Sequence, residues 1–180
     1  QRSRAHSTTA SCSTIQRQKK RLGLLSQPRL FNKEELMWYR KEFKELELKE
    51  FYEIVQLRLE TFVVEQTRIY NDLDAIDLRA LHLFHQDEKG NVDAYARIFE
   101  TGTTIHFGRV AVAKDSRGQG LGRAMVEQIL DLCEQSFPGR AIEIEAQEQV
   151  VGLYEKLGFQ RVSEPFILAS TPHVKMIYQK

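Results

Sequence analysis

Leu48, Phe51, Tyr52, Val55, Leu59 and Phe62 recur at three- and four-residue spacing, which predicts an amphipathic helix with these side chains on its buried face. Trp38 to Phe43, just before it, reads as a strand. From Asn71 to Leu78, aspartates at 72, 74 and 77 make the chain too polar for a core and predict a short surface helix or loop. Leu81 to Gln86 and Val92 to Glu100 flank the turn cluster Asp87-Glu88-Lys89-Gly90-Asn91, so a hairpin is expected. A second Gly/Thr turn at 101–104 leads into a strand ending at Val112. Leu121, Met125, Ile129, Leu132 and Cys133 then form the stripe of a helix that Pro138-Gly139 terminates. Ala141 to Glu145 is a short strand. Val150 to Leu157 is a helix closed by Gly158, whose missing Cβ suits the left-handed position after a helix. Two strands, about Gln160 to Ile167 and His173 to Tyr178, complete the chain. The order is β-α-α-β-β-β-α-β-α-β-β, and pattern alone supports a mixed α/β domain without internal repeats.

Between the strand ending at Val112 and the helix after it lies Arg117-Gly118-Gln119-Gly120-Leu121-Gly122-Arg123. Such a loop lets backbone approach an anion closely, and the unpaired amides of the following helix point at that anion. Spacing narrows the chemistry. No Gly-Lys pair follows Gly118 or Gly120, so this is not a P-loop, and Arg123 stands where a dinucleotide fingerprint would need its third glycine. What remains is Arg-x-x-Gly-x-Gly, spelled by Arg117, Gly120 and Gly122.

This loop, the strand Phe107 to Val112 and the later Leu153-Tyr154-Glu155-Lys156-Leu157-Gly158-Phe159 together resemble the acetyl-CoA-binding core of the GNAT acyltransferases. Leu57-Arg58, Phe62 to Gln66, Tyr70, the aspartate run and Pro172-His173 resemble the ElaA-like branch of that superfamily. The resemblance covers roughly residues 37 to 180. Ile69 stands where the family usually has proline. The resemblance implies a GNAT fold and acetyl-CoA as co-substrate. It further implies that the backbone of Val110, Ala111 and Val112 receives the pantetheine arm. Gly118, Gln119, Gly120, Leu121 and Gly122 would bind the pyrophosphate, with charge added by Arg117 and Arg123. Tyr154 matches the position whose phenol usually protonates the leaving sulfur, and a phenol of reference pKa near ~10 carries that proton at pH 7.

The base is open between Glu65 and Glu143, each acting through water. An alkyl amine of pKa near ~10.4 must first lose a proton, which costs roughly 4 to 5 kcal/mol at pH 7. Glu143 and Glu145 share one strand face by alternation, with Ile142 and Ile144 on the other. Gln147 could only orient a water. The aspartates 72, 74 and 77 read either as an acidic rim for a cationic substrate or as a solvated face. His82 and His85 face opposite ways in a strand and make no metal-ligand pair, so no metal is expected. His173 reads either as part of an acceptor pocket or as a structural histidine. Cys133, on an apolar stripe, reads as core.

Composition separates the chain into two parts. Residues 1 to 33 carry eight Arg/Lys and no acid, whereas the remainder carries 18 basic against 25 acidic residues. An acidic folded part argues against nucleic-acid binding and suits a cationic amine, either a small molecule or a protein amino group. Residues 1–36 are expected to form a disordered basic extension, by composition either transit-like or a solvated non-native tail. Lys33 to Met37 can be encoded by a purine-rich stretch resembling a ribosome-binding site, which favours Met37 as the natural start. Cys12 and Cys133 offer no disulfide framework, and no apolar run approaches a membrane span, so a cytoplasmic setting without membrane contact is expected. The expected function is acetyl transfer to a primary amine by direct attack in a ternary complex. A non-catalytic acyl-CoA-binding or sensor module is the alternative, and a homodimer is left open.

Overall fold

The computed structural model describes residues 37–179, so the expected extension over residues 1–36 lies outside the described residues. Strands β1 (Trp38–Glu42), β2 (Leu81–Gln86), β3 (Val92–Thr101) and β4 (Thr104–Val112) form an antiparallel meander. β5 (Ile142–Gln147) joins β4 in parallel, and β8 (Thr171–Tyr178) pairs antiparallel with β5. β6 (Gln160–Arg161) and β7 (Phe166–Leu168) both pair with the outer edge of β8. Helix α1 (Leu48–Arg58) packs on one sheet face, while α2 (Leu121–Ser136) and α3 (Val151–Lys156) pack on the other. The expected mixed α/β class holds. In place of the second expected helix, α1 continues as a π-helical turn over Leu59–Val64, and the last sheet edge is two short strands rather than one.

Helix α1 begins with a reciprocal cap in which the Glu47 amide donates to Glu50. Its buried stripe is not the one the apolar spacing predicts. Glu50, Ile54, Leu57, Arg58, Thr61 and Phe62 face the sheet, whereas Leu48 is 90% and Tyr52 68% exposed. Ile54, Leu57 and Phe62 pack with Phe84, Tyr95 and Ala111. An apolar count misplaces this face because one of its largest members is an arginine.

Arg58 is buried because its charge is met on two sides. Its Nε donates to Asp72 Oδ2 at 2.7 Å and its Nη1 to Asp77 Oδ1 at 2.8 Å, while Nη2 reaches the Asp72 carbonyl at 2.8 Å. Arg97 on β3 binds Asp74 through both terminal nitrogens at 2.7 Å and Asp77 at 2.9 Å. Arg109 on β4 approaches Asp72 to 2.8 Å, and the Tyr70 hydroxyl donates to Asp72 at 2.8 Å. The expectation of a solvated aspartate rim is therefore corrected: Asp72 and Asp77 are each 3% exposed. His82 closes the cluster from below, contacting the Asp77 carbonyl at 2.9 Å and the Tyr95 hydroxyl at 2.8 Å. As expected, His85 points to the opposite face, where it pairs with Asp93.

β4 contains one extra residue. Tyr95 opposes Ala111 and Arg97 opposes Gly108, so Arg109 and Val110 together stand against Ala96. Arg109 adopts φ +54°, a left-handed conformation costing on the order of 1 kcal/mol or more for a residue with a Cβ. Its ion pair to Asp72 and its stacking over the Tyr70 ring at 5.5 Å hold it there. After this bulge the strands part. β4 and β5 are paired only at Ile105 with Ile142 and at His106 with Glu143, although β4 continues to Val112 and β5 to Gln147.

Asp77 yields a test of the buried cluster. Burial alone would raise its carboxyl, but hydrogen bonds from Arg58, the Asp74 amide and Arg97 bring it down to about 2. A folded value below the unfolded value of ~3.9 means stabilisation that is present above about pH 4 and lost as pH falls through about 2. Asp77→Asn leaves Arg58 and Arg97 partly uncompensated and should cost about 3–5 kcal/mol in urea unfolding at pH 7. The deficit should shrink in titrations carried toward pH 2; an equal deficit at both pH values would show that the Asp77 charge is not what stabilises the cluster.

Candidate active site

The parting of β4 and β5 opens a cleft of about 1000 Å³ that runs through the sheet. Register assigns its two sides. His106, Gly108, Glu143, Glu145, Gln147 and His173 share the face carrying α1, because opposed residues in a ladder point the same way. Val110, Val112, Ile144 and Ala146 lie on the face carrying α2 and α3. Tyr154, on α3, sits among Phe107 at 6.0 Å and Phe159 at 5.6 Å, and it lines the cleft from that second face. Its residue is only 5% exposed, and burial pushes its phenol above the usual value, which keeps the proton in place at neutral pH.

The glycine loop stands at the start of α2. Gly118 and Gly120 have φ +78° and +85°, conformations that disfavour any side chain. Gly120 caps the helix through its carbonyl, which accepts from Ala124 at 3.0 Å, and it provides no capping side chain. The first turn holds no acidic residue either. The amides of Leu121, Gly122 and Arg123 are thus left to whatever anion approaches. A Cβ built at Gly120 meets no atom within 4 Å, so the protein itself does not fill the space above the turn. These features fit a diphosphate.

The expected site residues divide between the cleft and the start of α2. Val110, Val112, Arg117, Glu65, Glu143 and Tyr154 line the cleft. Ala111 turns its side chain away into the core against α1, because the bulge shifts the alternation by one. Gly118, Gln119, Gly120, Leu121, Gly122 and Arg123 lie outside the cleft wall, at the helix start. Arg117 is engaged from both sides. Its terminal nitrogens hold Glu65 at 2.6 and 2.7 Å, and its Nε donates to the Val112 carbonyl at 2.9 Å. Arg117 hydrogen bonding holds the Glu65 carboxyl below its ordinary value, so Glu65 is a poor base with both oxygens occupied. The Glu143 side chain makes no hydrogen bond or ion pair among the described residues. Arg123 pairs with Glu127 at 2.9 Å.

Gln147 reaches across the opening to Gln66 at 3.2 Å and receives Gln149 at 2.9 Å. Arg68, Phe99, Thr101 and His106 also line the cleft and were not singled out from the sequence. The signal for His106 was available in strand alternation, since it opposes Phe99 and stacks on it at 5.5 Å. Arg68 had no local signal. His173 is 6% exposed and donates through Nδ1 to the Thr171 carbonyl at 2.8 Å, so it lines the cleft while being anchored to its own strand. Cys133 is core as expected, with burial raising its thiol to about 11.

Residues 40–180 match the family described as the acetyltransferase (GNAT) domain. A UPF0039 protein of Schizosaccharomyces pombe is 38% identical, over 76% of this chain and 92% of its own. Protein ElaA of Escherichia coli is 31% identical, over 77% of this chain and 94% of its own. The ElaA crystal structure superposes with a TM-score of 0.75, covering 79% of this chain and 99% of that one. An acyl-CoA N-acyltransferase from Pseudomonas aeruginosa superposes with a TM-score of 0.73 at 33% identity, covering 78% and 97%. This chain belongs to the GNAT acetyltransferase family and is a member of its ElaA-like branch.

Proposed function

We propose that the protein transfers an acetyl group from acetyl-CoA to a primary amine, the amine attacking directly while both substrates are bound. The observation that carries this reading is the parted β4–β5 pair, which joins the uncapped start of α2 on one sheet face to a polar groove on the other. Family membership supports acyl transfer from an acyl-CoA; the acetyl group and the amine are our reading.

The donor supplies a thioester whose carbonyl carbon is open to attack by a neutral amine. The amides of Leu121, Gly122 and Arg123 hold its diphosphate, with Gly118 and Gly120 providing close approach. Beyond His106, the β4 edge facing β5 has backbone groups without a ladder partner, and these can bind the amide-bearing arm. Glu143 faces the incoming ammonium and takes its proton through water. Glu65 is better described as the anchor of Arg117 than as a base. Tyr154, with its proton retained by burial, delivers that proton to the departing sulfur.

Tyr154→Phe removes one hydroxyl and keeps the ring packed between Phe107 and Phe159. Turnover with the best amine of an acceptor screen should fall by on the order of 10²-fold while CoA affinity stays near wild type. Near-normal kcat in this variant would remove the proton-donor role.

Gly120→Ala should weaken CoA binding at least tenfold, about 1.4 kcal/mol, since a methyl there enters the space the diphosphate needs. Gly90→Ala is the control, because Gly90 has a similar φ of +77° and equally open surroundings in a turn remote from the cleft. Calorimetry should separate the two variants; equal CoA affinity in both would sink the diphosphate cradle.

A further inference from the structure

The cleft holds more charge than the transfer step uses, and most of it cancels. Four arginines line it: Arg68, Arg97, Arg109 and Arg117. Arg97 is held by Asp74 and Asp77, Arg109 by Asp72, and Arg117 by Glu65. The Arg68 backbone amide donates to the Val63 carbonyl at 3.0 Å, but its guanidinium makes no ion pair or hydrogen bond among the described residues. Of the carboxylates, Glu65 is taken by Arg117, while the side chains of Glu143 and Glu145 make no ion pair among the described residues. Glu145 is exposed and stands directly opposite Lys175 in the β5–β8 ladder, whereas Glu143 is half-buried. Arg68, on the wall that follows the π turn, thus faces the same groove as Glu143 on the sheet floor, with Ile76, Phe99 and Leu168 as apolar lining.

We propose that the acceptor is an amino carboxylate, a small molecule bearing an ammonium group that meets Glu143 and a carboxylate that meets Arg68. A planar guanidinium binds a carboxylate through two parallel N–H···O bonds, a geometry that fixes orientation as well as charge. An acceptor carrying only ammonium groups would leave Arg68 uncompensated beside a second cation, and such like-charge placement discriminates strongly between ligands. The sequence reading of a cationic amine drew on the acidity of the folded part and on one reading of three aspartates, and those aspartates are paired with arginines. This inference rests on the acetyl-transfer reading and narrows its acceptor.

The test compares length-matched series of amino carboxylates, plain alkylamines and diamines with full-length protein and acetyl-CoA, reading thiol release. Wild type should favour amino carboxylates by at least tenfold in kcat/KM over both other series. Arg68→Glu should reverse the order in favour of diamines, Arg68→Lys should keep it, and CoA affinity by calorimetry should stay unchanged in both. Equal or better rates with diamines in wild type would overturn the proposal. So would an acceptor order insensitive to Arg68→Glu, or a tenfold loss of CoA affinity in that variant with the order unchanged, which would assign Arg68 to the donor. Failure of the underlying reading has a different signature: no CoA binding by wild type and no thiol release with any amine. In a protein that binds CoA without turnover, calorimetric titration of the amino carboxylate into the CoA complex decides the matter, and absence of Arg68-dependent binding overturns it.

Discussion

Arg58 is 1% exposed, and a guanidinium in that position is tolerable only while carboxylates surround it. Its requirement organises one whole side of the molecule. Asp72 and Asp77 are drawn inward to meet it, and their remaining oxygens recruit Arg109 and Arg97 from neighbouring strands. The connection from α1 to β2 contains no long helix to pack, so this cluster is what ties it to the sheet. Through Arg109 it also reaches the bulge of β4, and through the bulge the opening between β4 and β5. A buried ion cluster is weak evidence for net stability, since well-packed apolar groups can do as well. What it provides here is position: the ring of charges admits one arrangement of three chain segments.

The two substrates of the proposed reaction would enter from opposite sides of the sheet. The α2 face offers helix amides, glycines and the buried phenol of Tyr154. The α1 face offers an ionic groove with aromatic and apolar patches. Only where β4–β5 pairing stops could the two meet, so the proposed chemistry would occupy a place where the sheet has surrendered its own hydrogen bonds. Arg117 spans the boundary, tying Glu65 at the end of the π turn to the last carbonyl of β4. Gln66, Gln147 and Gln149 make a similar bridge in neutral form.

The α2 face was the legible half. The glycine spacing, the Leu121 to Cys133 stripe and the motif around Tyr154 are local patterns, each contained within a few turns of chain, and the structure brings these segments together on one side of the sheet. The α1 face was misread because its pattern is not local. Leu48 and Tyr52 look like core in one dimension, yet the buried stripe runs through Glu50, Arg58 and Thr61. Aspartates 72, 74 and 77 look solvated until arginines 14 to 37 residues away are placed beside them. Polar residues buried in pairs leave no trace in hydropathy, because each member argues for the surface when read alone. The bulge was equally hidden. Gly108 adjoins it without taking a positive φ: the residue at positive φ is Arg109, kept there by a side-chain interaction that only the fold creates.

That bulge makes β4 a segment whose length is under constraint as well as its composition. Because side chains alternate with a period of two, loss of one residue between Gly108 and Ala111 would transpose everything from Ala111 onward to the opposite face. Ala111 would leave the α1 core, and Val112 would exchange the α2 side for it. Surface turns such as Asp87 to Asn91 can lengthen or shorten with little consequence for either face. In lineages descended from this chain, insertions and deletions should therefore be absent from residues 108–112 even where substitutions accumulate, leaving a strand whose count of residues outlasts their identity.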